Sequence, residues 1–405
     1  MAERRPRILL AVTVPVSLIL MRQVPELLVR DGWEVHVVSS PGPQLEALGS
    51  LPHVFVHPLP MKRDPSPLSD AVSFVKWLRV LRTVRPDVVS VSTPKASLLG
   101  AVASMLMRVP RRVYLQRGLR LETATGILRT VLSSAERATI RSSHAVIAVS
   151  NSLRAELIAL KLAPADKVVV LGSGSSNGVD VDRFSDAAAR EEARTLSGAL
   201  GLDPEIPVVG FVGRVAPDKG LTELAEARRI LLERGVAHQL LIVGGVDTGV
   251  SSSEAPPSEV FGPLTFTTGA VDNTAPYYQL MDVFCLPTYR EGFPNVVLEA
   301  SAAGVPTVTT DATGAVDSVK PGITGLTVPV RSGADLADAL ETLLRSPELR
   351  ASMGDAAHRW VDSEFRRDLI ARLTADFYAN ELARPGRAVS AALPAPQAGE
   401  QRRTD

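Results

Sequence analysis

Apolar runs of strand length alternate with amphipathic runs of helix length along nearly the whole chain, and the alternation occurs twice. The first series is Ile8–Thr13, Val35–Val38, Val54–Val56, Val88–Val91, Arg112–Leu115, Ala145–Val149 and Lys167–Leu171. Longer stretches with helical spacing lie between them, such as Ser69–Val84 and Thr125–Arg141. Phe184–Pro204 is charged and helix-like without a strand, and marks a boundary. The second series follows: Pro207–Gly213, Leu240–Val243, Phe266–Thr268, Val283–Leu286, Thr307–Thr309 and Leu326–Val328. Strands of this kind, each followed by a helix, pack as parallel sheets covered on both faces. The predicted fold class is α/β, with two Rossmann-like parallel-sheet domains at 1–185 and 206–364. A chain of 405 residues is too long for one ordinary core, which fits two domains. Helical patterns at Leu336–Leu344, Pro347–Glu364 and Asp368–Leu382 end the fold. Val246–Pro263 reads as a long loop, and residues 385–405 as a disordered tail by their Pro, Ala, Gly and Gln bias.

The most chemically specific segment is Glu291-Gly-Phe-Pro-Asn-Val-Val-Leu-Glu299. It follows the strand-length burst Asp282–Pro287, and Val296–Ala303 reads as a helix that Gly304-Val-Pro306 stops. Pro294 suits a first helical turn, where no N–H is needed. The free N–H groups near Asn295 and Val296 then make an anion seat. Glu299 falls one turn deeper, on the Asn295 side, and Glu291 lies in the loop opposite. An anion with polyols on both sides, such as a nucleotide sugar, fits that arrangement. As isolated residues they also fit a dipole-complementing acid and an exposed helical Glu. Arg214 and Lys219 follow the strand around Val208–Val212, with Asp218 placed to cap the next helix. Ligands in open α/β sheets bind beyond the carboxyl ends of strands, where this loop falls. Two fixed cations there would stabilise an anion that gains charge in a transition state more than in its ground state.

These residues carry a resemblance. Leu286 to Glu299 resembles the paired-glutamate signature of the retaining glycosyltransferases of family 4. Phe211-Val-Gly213-Arg214-Val-Ala-Pro-Asp-Lys219-Gly220 resembles that family's phosphate-binding Arg/Lys pair. Asn177-Gly-Val-Asp180 resembles its interdomain loop, and Thr324-Gly325-Leu326 its late strand entry. The resemblance implies the glycosyltransferase B architecture, two such domains facing a cleft, with a last helix near 365–383 returning to the first domain. Trp360 and Phe365 are placed to anchor that return. It implies catalytic roles for Glu291, Arg214 and Lys219. A donor site of Gly213, Arg214, Lys219, Glu291, Gly292, Phe293, Pro294, Asn295, Val296 and Glu299 is also implied. The co-substrate it implies is a UDP-sugar, with retention of configuration, no obligatory cofactor and no metal. The turn Thr13–Ser17 falls where relatives place a loop beneath the donor phosphates and the acceptor, but the usual glycine is absent. Ser17, Lys95 and Arg117 are the candidate acceptor contacts. Many relatives carry His where Arg117 falls; an arginine stays charged, so no proton-transfer role is assigned to it.

Composition narrows the partners. Net charge is zero, yet residues 1–185 carry ten more basic than acidic residues and the remainder ten fewer. A basic half beside an acidic half suggests that the first half meets something anionic. The helix-like segment Leu68–Arg85 has Phe74, Trp77, Leu78 and Leu81 on one side and Lys76, Arg79, Arg82 and Arg85 on others. It reads equally as a membrane-surface helix and as an ordinary core-facing one. The single cysteine, Cys285, rules out an internal disulfide, and the six scattered His show no metal-ligand spacing. His53 and His57 read as ordinary strand-flanking residues. Arg4 to Met21 has a basic head and an apolar run of signal length, but Pro15 and Ser17 interrupt it, and a first strand is the better reading. No run reaches the ~18–20 apolar residues of a spanning helix. Gly172–Gly178 lacks the dinucleotide-binding spacing and reads as an interdomain loop.

The functional expectation is a transferase extending a lipid-diphosphate-linked or other glycan acceptor in capsule, exopolysaccharide or glycoprotein glycan synthesis. It would lie in the cytoplasm, peripheral on the inner membrane face, without nucleic acid as a partner. Two alternatives stand beside it: a nucleotide-sugar epimerase or phosphorylase on the same fold, and a non-catalytic sugar-nucleotide-binding partner subunit.

Overall fold

The computed structural model describes residues 4–62, 66–246 and 262–384. Its first sheet contains β1 (Arg7–Ala11), β2 (Glu34–Ser39), β3 (Val54–Pro58), β4 (Val88–Ser92), β5 (Arg111–Gln116), β6 (Ala145–Ala148) and β7 (Val168–Val169). The second contains β8 (Val208–Val212), β9 (Gln239–Val243), β10 (Thr265–Thr267), β11 (Val283–Leu286), β12 (Thr307–Thr310) and β13 (Gly325–Val328). Every apolar run read as a strand is one, within a few residues at its ends. The loop expected at Val246–Pro263 and the tail at 385–405 lie almost wholly outside the described residues.

The strand orders are β3-β2-β1-β4-β5-β6-β7 and β10-β9-β8-β11-β12-β13. All pairings in them are parallel. Each order reverses direction once, between β1 and β4 and between β8 and β11. Loops leaving those neighbours at their carboxyl ends turn to opposite faces and leave a crevice. Arg214 and Lys219 follow β8, Glu291 follows β11, Ser17 follows β1 and Lys95 follows β4. Residues far apart in sequence are thereby placed at two equivalent points of two sheets.

Burial explains why the strands are apolar on both sides. Ile8 through Val12 are at most 2% exposed, as are Val283 through Leu286. The helix Pro67–Val84 covers one face of the first sheet with Trp77 fully buried and Leu81 nearly so. Phe74 and Leu78 pack against the same core. Its apolar stripe therefore belongs to the interior, and the membrane reading of that stripe is withdrawn. Leu68, Val72 and Val75 of the same helix are the exposed ones.

The run from Ile8 to Met21 is broken into β1 and a 3-10 turn at Pro15–Met21. His57 is less ordinary than its sequence context suggests, because it pairs with His36 at 2.9 Å and is half-buried. After Phe184 come the helix Ala187–Leu200 and β8. The final helix, Arg367–Ala383, lies on the first sheet: Tyr378 is 2% exposed, with its hydroxyl 2.7 Å from that of Ser90, and Arg372 pairs with Asp31 at 2.6 Å. Phe365, wholly buried, stacks edge-on to Trp360 at the start of that return.

Candidate active site

Two loops of the second sheet build the centre of the site, and they are bonded to each other. The Asp218 carbonyl accepts from the Tyr289 N–H and from the Thr288 hydroxyl, each at 3.0 Å. Gly220 takes a left-handed φ of +69°, and a Cβ there would sit 1.9 Å from the Pro287 carbonyl, so this close approach excludes any side chain. Asp218 does not cap the following helix, Leu221–Glu233, whose N-cap is Gly220 without a side-chain bond. Its carboxylate pairs instead with Arg290 at 3.1 Å. Charge competes here with capping, and the long guanidinium reaches it across the loop. Lys219 is brought against Glu291 as a hydrogen-bonded ion pair, with both side chains largely buried. Arg214 is exposed at the end of β8, while Gly213 donates its N–H to the Val243 carbonyl at 2.9 Å.

The second glutamate lies where helical spacing put it. The helix Asn295–Ala302 begins at Pro294, so the N–H groups of its first turn face the loops just described. Glu299 accepts from the Tyr278 hydroxyl at 2.9 Å and the Thr274 hydroxyl at 3.4 Å. Burial pushes its carboxyl above the usual range, and the Tyr278 bond partly offsets this. The Asn295 side-chain amide bonds Asn177 of the loop from the first half, leaving its Oδ1 buried with no protein partner. Phe293 is buried against Phe365, their rings 5.4 Å apart. Gly292 and Val296 complete the same turn.

In the first half, Lys95, Ser17 and Arg117 each have partners within the protein. Lys95 is paired with Asp70 at 2.8 Å, at the start of the helix Pro94–Leu106. Ser17 sits half-buried in the 3-10 turn and bonds the Val14 carbonyl through its N–H at 3.0 Å. Arg117 is engaged inside the protein: its guanidinium donates to the carbonyls of Ser176 and Leu20, each at 2.8 Å. Burial pulls it down to about 10, still charged at neutral pH, and its Nε has no protein partner. It lines a small open pocket together with Arg22, Asn177 and Tyr378. Arg22 also comes within electrostatic reach of Glu299, Arg183 and Arg367. Sequence reasoning did not single out Arg22, Arg183, Arg290, Ser152 or Asp317 as site residues. They have no local motif, and only the meeting of the two halves gives them a place.

Two doubly wound sheets, with Arg214 and Lys219 in the loop after β8 and Glu291 and Glu299 on either side of one helix start, are the arrangement of the glycosyltransferase B architecture. Comparison with known proteins agrees. Residues 21–174 match a family described as glycosyl transferase 4-like domain, and residues 206–346 one described as glycosyl transferases group 1. The chain is 35% identical over 365 residues to the capsular polysaccharide biosynthesis glycosyltransferase CapM of Staphylococcus aureus, covering 89% of this chain and 93% of that one. It is 25% identical over 291 residues to the N,N'-diacetylbacillosaminyl-diphospho-undecaprenol alpha-1,3-N-acetylgalactosaminyltransferase of Campylobacter jejuni, covering 70% and 75% of the two. Among solved structures, Anabaena HepE in complex with UDP-glucose matches with a TM-score of 0.74 at 19% identity, covering 92% of this chain and 99% of that one. The protein belongs to glycosyltransferase family 4.

Proposed function

We propose that this enzyme transfers a sugar, with retention of configuration, from a UDP-sugar to a polyprenyl-diphosphate-linked glycan in capsular polysaccharide synthesis. The observation that carries the donor half is the convergence of Lys219, Glu291 and the first turn of Asn295–Ala302 at the second switch point. The diphosphate would lie on Arg214, Lys219 and the N–H groups of Asn295 and Val296. Glu299 would hold the ribose hydroxyls, and Glu291 the sugar. A bound diphosphate would draw Lys219 partly away from Glu291 and leave that carboxylate to accept sugar hydroxyls. As the glycosidic bond lengthens, charge grows on the diphosphate, and the two cations stabilise that charge most at the transition state. Attack from the same face, with the leaving phosphate taking the acceptor's proton, would give retention.

One structural neighbour and one sequence relative support the finer choices, while another relative is named as GDP-mannose-dependent. UDP-glucose is bound by the structural neighbour, and one sequence relative is named for a diphospho-undecaprenol acceptor. Residues 1–185 would form the acceptor domain and 206–364 the donor domain. Attachment to the inner membrane face would use the apolar tips of two helices that flank Pro94–Leu106 on the first half. Both tips rise from the carboxyl edge of the first sheet: Leu68 and Val72 on one, Ile127, Leu128 and Val131 on the other, all exposed. Exposed Lys62, Arg120 and Arg129 stand beside them in the basic half, as anionic lipid would require. Among the described residues no helix is long and apolar enough to cross a membrane.

A calorimetric panel of UDP- and GDP-sugars tests the donor. One or more UDP-sugars should bind at least about tenfold more tightly than every GDP-sugar, a gap of about 1.4 kcal/mol. Preference for a GDP-sugar would overturn the choice of nucleotide. Incubation with the donor alone tests the epimerase alternative, since an epimerase would convert it without acceptor.

A further inference from the structure

The two halves meet along a seam of backbone contacts, and Glu291 sits in the middle of it. A Cβ added to Gly292 would lie 2.0 Å from the Arg117 carbonyl of the first half. On the other side, a Cβ added to Gly314, which has φ of +75°, would lie 2.4 Å from the Gly292 carbonyl and 2.6 Å from that of Glu291. The Glu291–Gly292 peptide is thus held between the Arg117 carbonyl and Gly314, with no room for a side chain at Gly292 or at Gly314. The Glu291 N–H donates to the Thr313 carbonyl at 2.8 Å, so the segment from Thr313 to Asp317 fixes the backbone of the sugar-side glutamate.

That segment is tied to the first half through Ser152, with Thr313 also bonded to the Glu122 carboxyl. The N–H of Gly314 donates to the Ser152 hydroxyl at 2.7 Å. The same hydroxyl donates to the Asp317 carboxylate, which also accepts the Ser152 N–H at 3.1 Å. Ser152 stands in the first turn of the helix Asn151–Ala159, whose N-cap is Ser150. Asp317 therefore satisfies an N–H that the helix leaves unbonded, and its charge complements the positive helix end. A further tie lies nearby: Arg290 Nε donates to the Thr123 hydroxyl at 3.1 Å.

We propose that the Ser152–Asp317 contact is a latch between the two halves that positions Glu291, making both residues positioning residues for transfer. It rests on the reading of Glu291 as the sugar contact. With the latch made, the Thr313 carbonyl and the glycine seam hold the Glu291 loop in register with the first half. With the latch broken, the second half still binds nucleotide, but the competent closed state is less populated and turnover falls by that fraction.

The test compares Asp317→Ala, Ser152→Ala, Asp317→Asn and Glu291→Gln with the unaltered protein. Asp317→Ala and Ser152→Ala should each lose roughly tenfold or more in kcat while the Kd for UDP changes less than about twofold. X-ray scattering with UDP bound should show both alanine variants more extended. Asp317→Asn, which keeps an acceptor oxygen, should recover most of the lost kcat and the compact form. Alanine variants that stay compact with unaltered kcat overturn the latch, and so does a kcat loss matched by an equal loss of UDP affinity. An asparagine variant as impaired as the alanine one overturns it as well. If Glu291→Gln keeps full activity, the sugar-site reading fails on its own, and the scattering result still decides whether Ser152 and Asp317 hold the halves together.

Discussion

Lys219 and Glu291 present a largely buried pair whose two members would both be needed for other things once a sugar nucleotide arrives. Removing one leaves the other's charge unpaired, so Lys219→Ala should harm more than the loss of one phosphate contact. For Arg214→Ala and Lys219→Ala we expect roughly 2–4 kcal/mol of lost transition-state stabilisation each, read from kcat/KM. Values unchanged in both variants would end the donor-site assignment. A second prediction concerns Glu136, half-buried on the helix Gly126–Ser142, where it accepts from the Tyr114 hydroxyl at 3.0 Å and the Gln116 amide at 3.3 Å. Burial pushes its carboxyl up to about 7, against an ordinary value of 4.5. The folded state therefore binds this proton more tightly than the unfolded chain does. The stabilisation is full below the ordinary value and is lost as pH rises through about 7. Glu136→Gln should gain stability relative to the parent between pH 5 and 8, measured by urea unfolding at both ends. A difference that stays flat with pH would contradict it.

The helix Pro67–Val84 separates two roles that one amphipathic pattern conflates. Helical periodicity reports that a stripe is apolar but not what covers it, and here the stripe with Trp77 and Leu81 covers the first sheet. Trp77→Ala should therefore cost about 3–5 kcal/mol of stability, as deletion of a large core side chain does. The exposed tip behaves differently. Leu68→Asp with Ile127→Asp should leave the melting temperature nearly unchanged and reduce sedimentation with anionic vesicles. If these tips bind lipid, attachment to anionic vesicles should also weaken as salt rises, because screening shortens to about 3 Å near 1 M. Equal partitioning of parent and variant at low salt would remove the membrane role from these helices. The final helix shows the same principle inside the fold, since its Tyr378 is sequestered only because the chain returns to the first sheet.

For the molecule as a whole, the sequence by itself determined the architecture. Strands buried on both faces must be apolar throughout, and crossover helices must be amphipathic, so where the strands of the described residues fall along the chain was written in local composition. The glutamate pair and the Arg/Lys loop were legible too, because one helix start and one strand end fix them within a few residues. Only the tertiary structure decided what depends on separate segments meeting. Asp218 was read as a cap and is an ion-pair partner of Arg290, because that arginine arrives from a loop some seventy residues later. Lys95 and Arg117 were read as acceptor contacts; folding also gives them partners no local pattern shows, Asp70 for one and the carbonyls of Leu20 and Ser176 for the other. Ser152 and Asp317 carry no motif at all, being a serine in a helix start and an acid in a short turn, 165 residues apart. Periodicity and spacing record forces acting between neighbours along the chain. Contacts across the cleft depend on how two independently built sheets come together, and no local pattern encodes that distance.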